Sequence, residues 1–323
     1  MAKFRPMNLM TDAADMARLY SYTVPEPITV ETACYWWTLR EGEIRVTTLA
    51  FDENSRGIGY WDVDRETWMK PGHFYIKVIV QPEARGHGLG TQMYNDAQRV
   101  AVENRATHLK SSVGDMDINS LKFAVKRGFK IEHHTFESTL QIADFDERRF
   151  NDLMARLQTE GFRFFSLAEA GLTDENKHKL YELNRDAGLD NPGNDGIFPD
   201  FHAFTRNVFE ASWFRADTQI IASYADKWVG LSAIGIYPAD NRAYNMFTGV
   251  LREYRGRGLA QALKLQTILL AKKEGVRYVR THNDSKNRSM LSVNRKLGYR
   301  PEPGQYQLLC VLGETRGNSA ASA

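Results

Sequence analysis

A duplicated pattern constrains the fold of this chain more than any other feature of its sequence. The stretch EARGHGLG at 83–90 has a near copy, EYRGRGLA, at 253–260. The arginines of the two copies lie 170 positions apart, and so do Gly128 and Gly298, each of which is followed by an aromatic residue. Two landmarks that recur at one spacing indicate an internal repeat, and a repeat decides the domain organisation.

The same order of predicted elements surrounds each copy. An apolar strand precedes the loop, and a helix with apolar residues at i and i+4 follows it. A further strand and helix lead to the Gly-aromatic pair, where the glycine is suited to end the helix. The pattern predicts two tandem domains of a mixed α/β class. We expect these domains at 1–143 and 163–312, a packed linker helix within 144–162 and a disordered tail at 313–323.

Charge and cysteine content argue against several function classes. The 323 residues include 42 Lys and Arg and 40 Asp and Glu, so a net charge of +2 gives no electrostatic case for binding nucleic acid or a membrane. Cys34 and Cys310 are far apart and form no CxxC, so we expect neither a metal site nor a disulfide framework. No signal peptide or membrane span is apparent, and we expect a cytoplasmic protein.

The glycine loop itself has the properties of an anion site. Backbone N–H groups converge where a strand enters a glycine-rich loop and a helix begins, and the helix dipole adds partial positive charge. Glycines let a pyrophosphate approach the backbone, and the loop arginine can add a charge-assisted contact. The residues predicted to bind are Arg85, Gly86, His87, Gly88, Leu89, Gly90 and Thr91 in the first copy, and Arg255, Gly256, Arg257, Gly258, Leu259 and Ala260 in the second.

Three kinds of phosphate loop can be compared with these copies. A Walker loop needs Gly-Lys-Ser/Thr, which neither copy has. A dinucleotide fingerprint needs GxGxxG early in its domain, whereas these loops read GxGxG or GxGxA and come after several strands. Both copies satisfy the third pattern, Arg-x-x-Gly-x-Gly/Ala.

That pattern resembles the GNAT N-acetyltransferase superfamily. The resemblance covers nearly the whole chain and is most specific in VIVQPEARGHGLG…DINSLKFAVKRGF and TGVLREYRGRGLA…NRSMLSVNRKLGY. The tandem arrangement is similar to that of double-domain acetyltransferases of the mycothiol synthase type. The resemblance implies acetyl-CoA as cofactor, with its pantetheine arm between the fourth and fifth strands of a splayed sheet. It implies contacts to coenzyme A from Ile79, Val80, Asn119, Gly249, Val250, Asn283 and Asn287, with a backbone N–H near Val80 or Val250 facing the thioester oxygen.

The same resemblance directs attention to a few candidate catalytic residues. Family members often carry a tyrosine as general acid four residues before the Gly-aromatic pair, where this chain has Ala124 and Asn294. Asn294 can hydrogen-bond the coenzyme A sulfur but cannot release a proton. Tyr244 and His282 are candidates for the base, with packing or a surface contact as the alternative. A count of 170 positions matches Tyr244, Asn287 and Asn294 to Phe74, Asp117 and Ala124. The C-terminal domain is therefore expected to be the catalytic one.

The expected activity is transfer of an acetyl group from acetyl-CoA directly to a primary amine of a small molecule. The alternatives are a non-catalytic protein that binds or senses acyl-CoA and a protein N-acetyltransferase. The N-terminal domain keeps its loop and is expected to bind coenzyme A, either as a second active site or as a structural copy. Asp190, Asp195 and Asp200, in a turn-rich segment, are possible partners for the amine. A monomer or a homodimer is expected.

Overall fold

The computed structural model describes residues 2–24, 27–39, 42–66, 69–191 and 196–313. The predicted tail lies outside the described residues apart from Gly313, and so does Asp195. None of the described helices combines the length and apolar character needed to cross a membrane.

The described residues form strands and helices in the following chain order. The strands are β1 Lys3–Pro6, β2 Gly42–Phe51, β3 Gly57–Glu66, β4 His73–Val80, β5 His108–Gly114, β6 Lys130–Gln141, β7 Phe162–Ser166, β8 Gln219–Tyr224, β9 Lys227–Tyr237, β10 Arg242–Val250, β11 Tyr278–Asp284 and β12 Arg300–Val311. The α-helices are α1 Leu9–Ser21, α2 Val30–Leu39, α3 Leu89–Glu103, α4 Ile118–Val125, α5 Asn151–Thr159, α6 Leu167–Ala170, α7 Asp174–Leu189, α8 Phe201–Phe204, α9 Leu259–Lys273 and α10 Arg288–Leu297.

These elements divide into two compact units. Unit 1 holds the chain up to His133 and again from Gln305, and unit 2 holds His134–Gly304. Both are mixed α/β units, as the sequence predicts, and each repeats the same order of strands around one glycine loop.

In unit 1 the strand order is β1-β2-β3-β4-β5-β12. All neighbours are antiparallel except β4 and β5, which are parallel. The helix after the loop, α3, packs on one face because Met93 and Ala97, four residues apart, are both fully buried there. They join Phe74 and Leu109 of the sheet in one apolar core.

In unit 2 the strand order is β6-β11-β10-β9-β8-β7. Here β10 and β11 are the parallel neighbours. The face covered by α9 carries the core around Ile234, Ala243 and Val279, while Leu180 and Leu183 of α7 belong to a separate core with Leu231. The predicted linker at 144–162 contains α5, whose Leu157 is fully buried in unit 2.

The last strand of each half completes the sheet of the other unit. Residues 305–311 of β12 pair with β5, from Gln305 opposite Gly114 onward, and residues 135–141 of β6 pair with β11. The domain ranges drawn from the sequence instead keep each last strand with its own half. The difference arises because both strands can complete an antiparallel ladder, so the local pattern does not decide which sheet edge each one joins.

Candidate active site

Each glycine loop forms a tight turn that only glycine adopts easily. Gly86 and Gly88 have φ values of 83° and 86°, and Gly256 and Gly258 have 78° and 93°. Side chains at such φ angles are strained, which explains the glycine pairs. Gly88 and Gly258 are the N-caps of α3 and α9, and no side chain caps either helix. The first-turn N–H groups of both helices are therefore available to an anion.

Space beside the loops fits a pyrophosphate. A Cβ atom placed on Gly86, Gly88 or Gly256 would meet no protein atom within 4 Å. Glycine at these three positions therefore leaves open space next to the N–H groups instead of serving internal packing. Gly258 differs, because a Cβ there would lie 2.8 Å from the side chain of Leu153 on α5. The two loops thus fit the phosphates of coenzyme A, and α5 closes one side of the second loop.

The loop arginines have a structural role that the sequence did not reveal. Arg85 Nε donates to the carbonyl of Val80 at 2.9 Å, and Arg255 Nε donates to that of Val250 at 2.9 Å. Each arginine thereby fixes its loop to the end of the preceding strand. Asp190, a predicted partner for the amine, instead pairs with Arg255 at 3.0 Å and with Arg252 at 2.6 Å. Two cations thus already balance its charge, and its contact with the amine stays a prediction.

The other predicted loop residues differ in exposure. His87 and Arg257 are exposed, and the Arg257 carbonyl accepts a hydrogen bond from Arg156 of α5 at 2.9 Å. Leu259 is buried in the unit 2 core, so its side chain is not a coenzyme A contact. The rest are partly buried or exposed at the start of α3 or α9: Leu89, Gly90, Thr91 and Ala260.

Upstream of each loop, two parallel strands pair briefly and then separate. In unit 1 the pairing covers His73–Tyr75 of β4, and in unit 2 it covers Arg242–Asn245 of β10. Both strands continue for five residues beyond that pairing, to Val80 and Val250. A strand edge without a strand partner can hydrogen-bond an extended ligand. Ile79, Val80, Gly249 and Val250 lie on these stretches, where the sequence predicts the pantetheine arm.

One extra residue distinguishes β10 from β4. The register between β10 and β9 shifts between Asn245 and Phe247, which marks a bulge, whereas β4 pairs regularly with β3 from Tyr75 to Val80. Because of this residue, the structural counterpart of Tyr244 is Tyr75. The match of Tyr244 to Phe74 by a constant count is wrong, and Phe74 is buried in the unit 1 core.

Tyr244 lies where β10 and β11 begin to separate. Its hydroxyl donates to Glu137 Oε1 at 2.9 Å. Burial, and then the charge of Glu137, raise the pKa of Tyr244 above its ordinary value. A general base has to accept a proton, whereas this hydroxyl holds its own firmly, so Tyr244 is suited to donate a hydrogen bond.

Two further polar side chains, those of Arg280 and His282, lie near Tyr244 and Glu137. Arg280, the parallel partner of Tyr244, lies 3.8 Å from Glu137 Oε2, and His282 is the cross-strand partner of Glu137. His282 is exposed. We call Glu137, Tyr244, Arg280 and His282 the β10–β11 cluster. Glu137 was missed from the sequence, because it precedes the second repeat and reaches unit 2 through strand exchange.

On the opposite face of β11, two predicted asparagines pair with each other. Asn294 Nδ2 donates to Asn283 Oδ1 at 2.7 Å, and Asn283 Nδ2 donates to Ser138 Oγ at 2.9 Å. Asn283 is only 4% exposed and joins β11 to β6, so a direct contact with coenzyme A is not its role. Asn294 Oδ1 is buried and has no partner among the described residues. Asn294 is 2% exposed, so it is no more open to a ligand than Asn283, and its contact with coenzyme A stays a prediction.

The remaining predicted contacts lie at the start of α4 and α10. Asn287 Oδ1 accepts from Met290 N at 3.2 Å and caps α10, and Asp117 caps α4 through Ser120 N at 3.0 Å. Both residue types suit an N-cap, which explains why Asp replaces Asn between the repeats. Asn119 is exposed in the first turn of α4.

Comparison with known proteins decides the family. The profile of the Acetyltransferase (GNAT) family matches residues 13–129 and 178–299, one match in each half. The chain belongs to this family. A sequence search found no curated protein that matches it significantly.

Solved structures agree with a tandem GNAT fold. A GCN5-related N-acetyltransferase from Sphaerobacter thermophilus superposes with a TM-score of 0.70 at 16% identity, covering 96% of this chain and 95% of that one. A tandem GNAT protein from the clavulanic acid biosynthesis pathway gives 0.66 at 17% identity, covering 98% and 100%. The glucosamine N-acetyltransferase region of a fungal multi-domain GH3 β-N-acetylglucosaminidase gives 0.70 at 16% identity, covering 96% of this chain and 38% of that one. These identities show the fold alone.

Aromatic side chains border the β10–β11 cluster of this GNAT protein. Gly235 is the cross-strand partner of Tyr244, and a Cβ there would lie 3.1 Å from Trp213 and 3.2 Å from Tyr237. The preceding segment is also rich in packed rings, with Phe198 and Phe204 against Tyr181 of α7. The sheet face that carries Tyr244 is therefore partly covered by apolar side chains.

Unit 1 has a cavity on the corresponding face. Its volume is ≈ 130 Å³, which is smaller than the roughly 300–1,000 Å³ of a typical small-molecule site. Asp62 and Asp64 of β3 line it together with Tyr75 and Ser112. Unit 1 thus carries acidic side chains from β3 where unit 2 carries Ala233 and Gly235.

A buried lysine on the other face of the GNAT sheet escaped the sequence analysis. Lys264 of α9 is 1% exposed, and its Nζ donates to Asn245 Oδ1 at 3.0 Å. The ammonium also lies 4.8 Å from the ring centre of Tyr299. Burial lowers the pKa of Lys264 to about 7. The Asn245 amide in turn donates to Ser232 Oγ at 2.9 Å, so the bulge of β10 is held by buried polar contacts.

Proposed function

We propose that this protein is an acetyl-CoA-dependent N-acetyltransferase that acetylates a primary amine of a small molecule in unit 2. The observation that carries the proposal is the bulged stretch of β10, which pairs with β9 on one edge, is unpaired on the edge toward β11, and joins the glycine loop at one end to the β10–β11 cluster at the other. Acetyl-CoA, when bound, supplies a thioester that an amine can attack. Unit 1 also keeps an open loop, and we propose that it binds coenzyme A.

Each part of unit 2 has a distinct task in this proposal. The N–H groups at the start of α9 bind the pyrophosphate, and the free edge of β10 holds the pantetheine arm. In this proposal a backbone N–H near Val250 stabilises the developing oxyanion. Direct transfer is supported by the cysteines, because Cys310 is buried in the unit 1 core and neither Cys310 nor Cys34 lies in a glycine-loop motif.

The aromatic border favours a small acceptor over a protein chain. Trp213 and Tyr237 stand beside Tyr244, where a lysine-bearing peptide would need open surface. An amine with an apolar or aromatic portion would bury that portion against these rings.

The proposal is tested with purified protein, acetyl-CoA and a panel of amines. The panel contains methylamine, n-butylamine, 2-phenylethylamine, tyramine, glucosamine and a lysine-containing peptide, and free thiol release is measured. We expect turnover with at least one small amine and little with the peptide. Coenzyme A binding without turnover on any amine would favour a binding or sensing protein, and turnover on the peptide alone would favour a protein acetyltransferase.

A matched pair of loop variants shows which unit performs the reaction. Gly256→Ala and Gly86→Ala each place a methyl group in open space at positive φ, so each meets the ligand before any protein atom. Strain at such a φ costs about 1–2 kcal/mol in either loop. We expect Gly256→Ala to raise the KM for acetyl-CoA about tenfold or more, with Gly86→Ala close to wild type. Steady-state kinetics measure both, and the reverse result would assign catalysis to unit 1.

A further inference from the structure

Unit 2 contains a carboxylate that the second repeat does not encode, because it lies on the strand exchanged from the first half. We propose that Glu137, carried into unit 2 by strand exchange, binds the ammonium of the acceptor amine and takes its proton. This inference rests on the proposed function, because it assigns a residue to the acceptor side of the same site.

The position of Glu137 supports this role. It lies on β6 directly opposite His282 of β11, and it reaches Tyr244 of β10, so it spans the two strands just where they begin to separate. Its side chain is 38% exposed, so a ligand can reach the carboxylate. Trp213 and Tyr237 lie over Gly235, the neighbour of Tyr244, and give the rest of an amine an apolar surface beside it.

The contacts of Glu137 leave part of its carboxylate free. Oε1 accepts one hydrogen bond, from the Tyr244 hydroxyl at 2.9 Å. Oε2 has Arg280 at 3.8 Å, which is beyond hydrogen-bond distance. A carboxylate accepts about four hydrogen bonds. Among the described residues Glu137 is therefore fixed in place by Tyr244 and Arg280 while most of its acceptor capacity is open to an ammonium.

The corresponding position of unit 1 provides a natural comparison. There the exchanged strand is β12, and Gln307 pairs with Ser112 as Glu137 pairs with His282. The tyrosine is kept in both units, as Tyr75 and Tyr244, but the amide of Gln307 cannot take a proton from an amine. The exchanged strand β6 thus brings a proton acceptor to unit 2, whereas the exchanged strand β12 brings an amide to the same position of unit 1.

The proton transfer balances as follows. The ammonium gives one proton to Glu137, which later passes it to water, and the freed nitrogen lone pair forms the C–N bond to the acetyl carbon. The C–S bond breaks, its electron pair leaves with sulfur, and sulfur takes up the second proton lost by nitrogen as the amide forms. The products are the acetylated amine, coenzyme A thiol and one released proton.

The test replaces Glu137 by the residue of unit 1. With the best amine of the panel, Glu137→Gln is expected to lower kcat/KM about 10²–10⁴-fold, the usual contribution of a positioned base. The KM for acetyl-CoA is expected to stay within about threefold, since the phosphate loop and β10 are untouched. Glu132→Gln makes the same change on the same strand at an exposed side chain and should leave kcat/KM within about twofold.

Two further measurements separate proton transfer from a structural role. Added formate is expected to restore part of the activity of Glu137→Ala, which loss of a purely structural contact would not allow, and Glu137→Gln is expected to lower kcat more than it raises the KM for the amine. Circular dichroism and thermal unfolding verify that the variants fold. If Glu137→Gln keeps kcat/KM within about threefold of the wild-type value, this inference is overturned and the proposed function stands. Absence of wild-type turnover on every amine overturns the proposed function itself.

Discussion

Replacement of Lys264 by methionine is expected to abolish a rise of folding stability with pH. Burial lowers the pKa of this ammonium from 10.5 to about 7, so between these values the unfolded chain binds a proton that the folded chain does not. Stability of the wild type therefore rises with pH across this window, by about 1.4 kcal/mol per pH unit. Lys264 is still half protonated in the folded chain at pH 7, so between pH 7 and pH 9 the free energy of unfolding should rise by roughly 2 kcal/mol more in the wild type than in Lys264→Met.

Urea unfolding at pH 7, 8 and 9 measures this difference. Below pH 7 the full cost of the buried charge is present, so Lys264→Met is expected to be the more stable protein there. Lys272→Met is the matched control, because Lys272 lies on the same helix with an exposed side chain and pairs with Glu147 at 2.9 Å. That pair is worth under about 1 kcal/mol. Equal pH dependence in the wild type and Lys264→Met would contradict the prediction.

Truncation of one leucine in each exchanged strand is expected to destabilise the unit of the opposite half. Leu308 is buried among Phe74 and Met93 of unit 1, and Leu140 is buried beside Val279 of unit 2. Removal of a buried leucine side chain costs about 2–5 kcal/mol. Leu308→Ala should therefore weaken amide protection in β4 and β5, and Leu140→Ala should weaken it in β10 and β11.

Hydrogen exchange read by mass spectrometry resolves the two units. Val311→Ala and Ile131→Ala are controls on the same two strands, because their residues are 37% and 49% exposed and the changes should alter stability by only about 0.5 kcal/mol. If Leu308→Ala loosened β11 and left β5 protected, the strands would not be exchanged in solution.

The repeat predicted the family and the phosphate loops because their signals are local. Glycines at positive φ, an uncapped helix start and a preceding apolar strand lie within a few residues, and Gly86 and Gly256 adopt the positive φ that such a turn requires. Binding of phosphate by these loops stays a prediction. The caps at Asp117 and Asn287 are local as well, although the sequence suggested a ligand contact for Asn287 where the structure shows a cap.

The catalytic side was harder to predict because its determinants are not local. One bulge residue in β10 moves the match of Tyr244 from Phe74 to Tyr75, and a constant count along the chain cannot register such an insertion. Glu137 lies 107 positions from Tyr244 in the sequence, and strand pairing alone brings them together. Lys264 stands between Leu263 and Leu265 in α9, and a charged residue among apolar neighbours is a sequence signal of a buried polar contact.

The exchange of last strands has a consequence for the order in which the nascent chain can fold. β5 pairs with β12, whose Gln305 lies opposite Gly114. The edge of β5 therefore stays unpaired until the ribosome has made about 190 further residues. At about 5–20 residues per second this delay lasts roughly 10–40 s. Throughout that time β5 presents an open strand edge, the kind of surface that captures other chains. Chaperones that protect open edges during translation would therefore matter more for the first half of this protein than for the second.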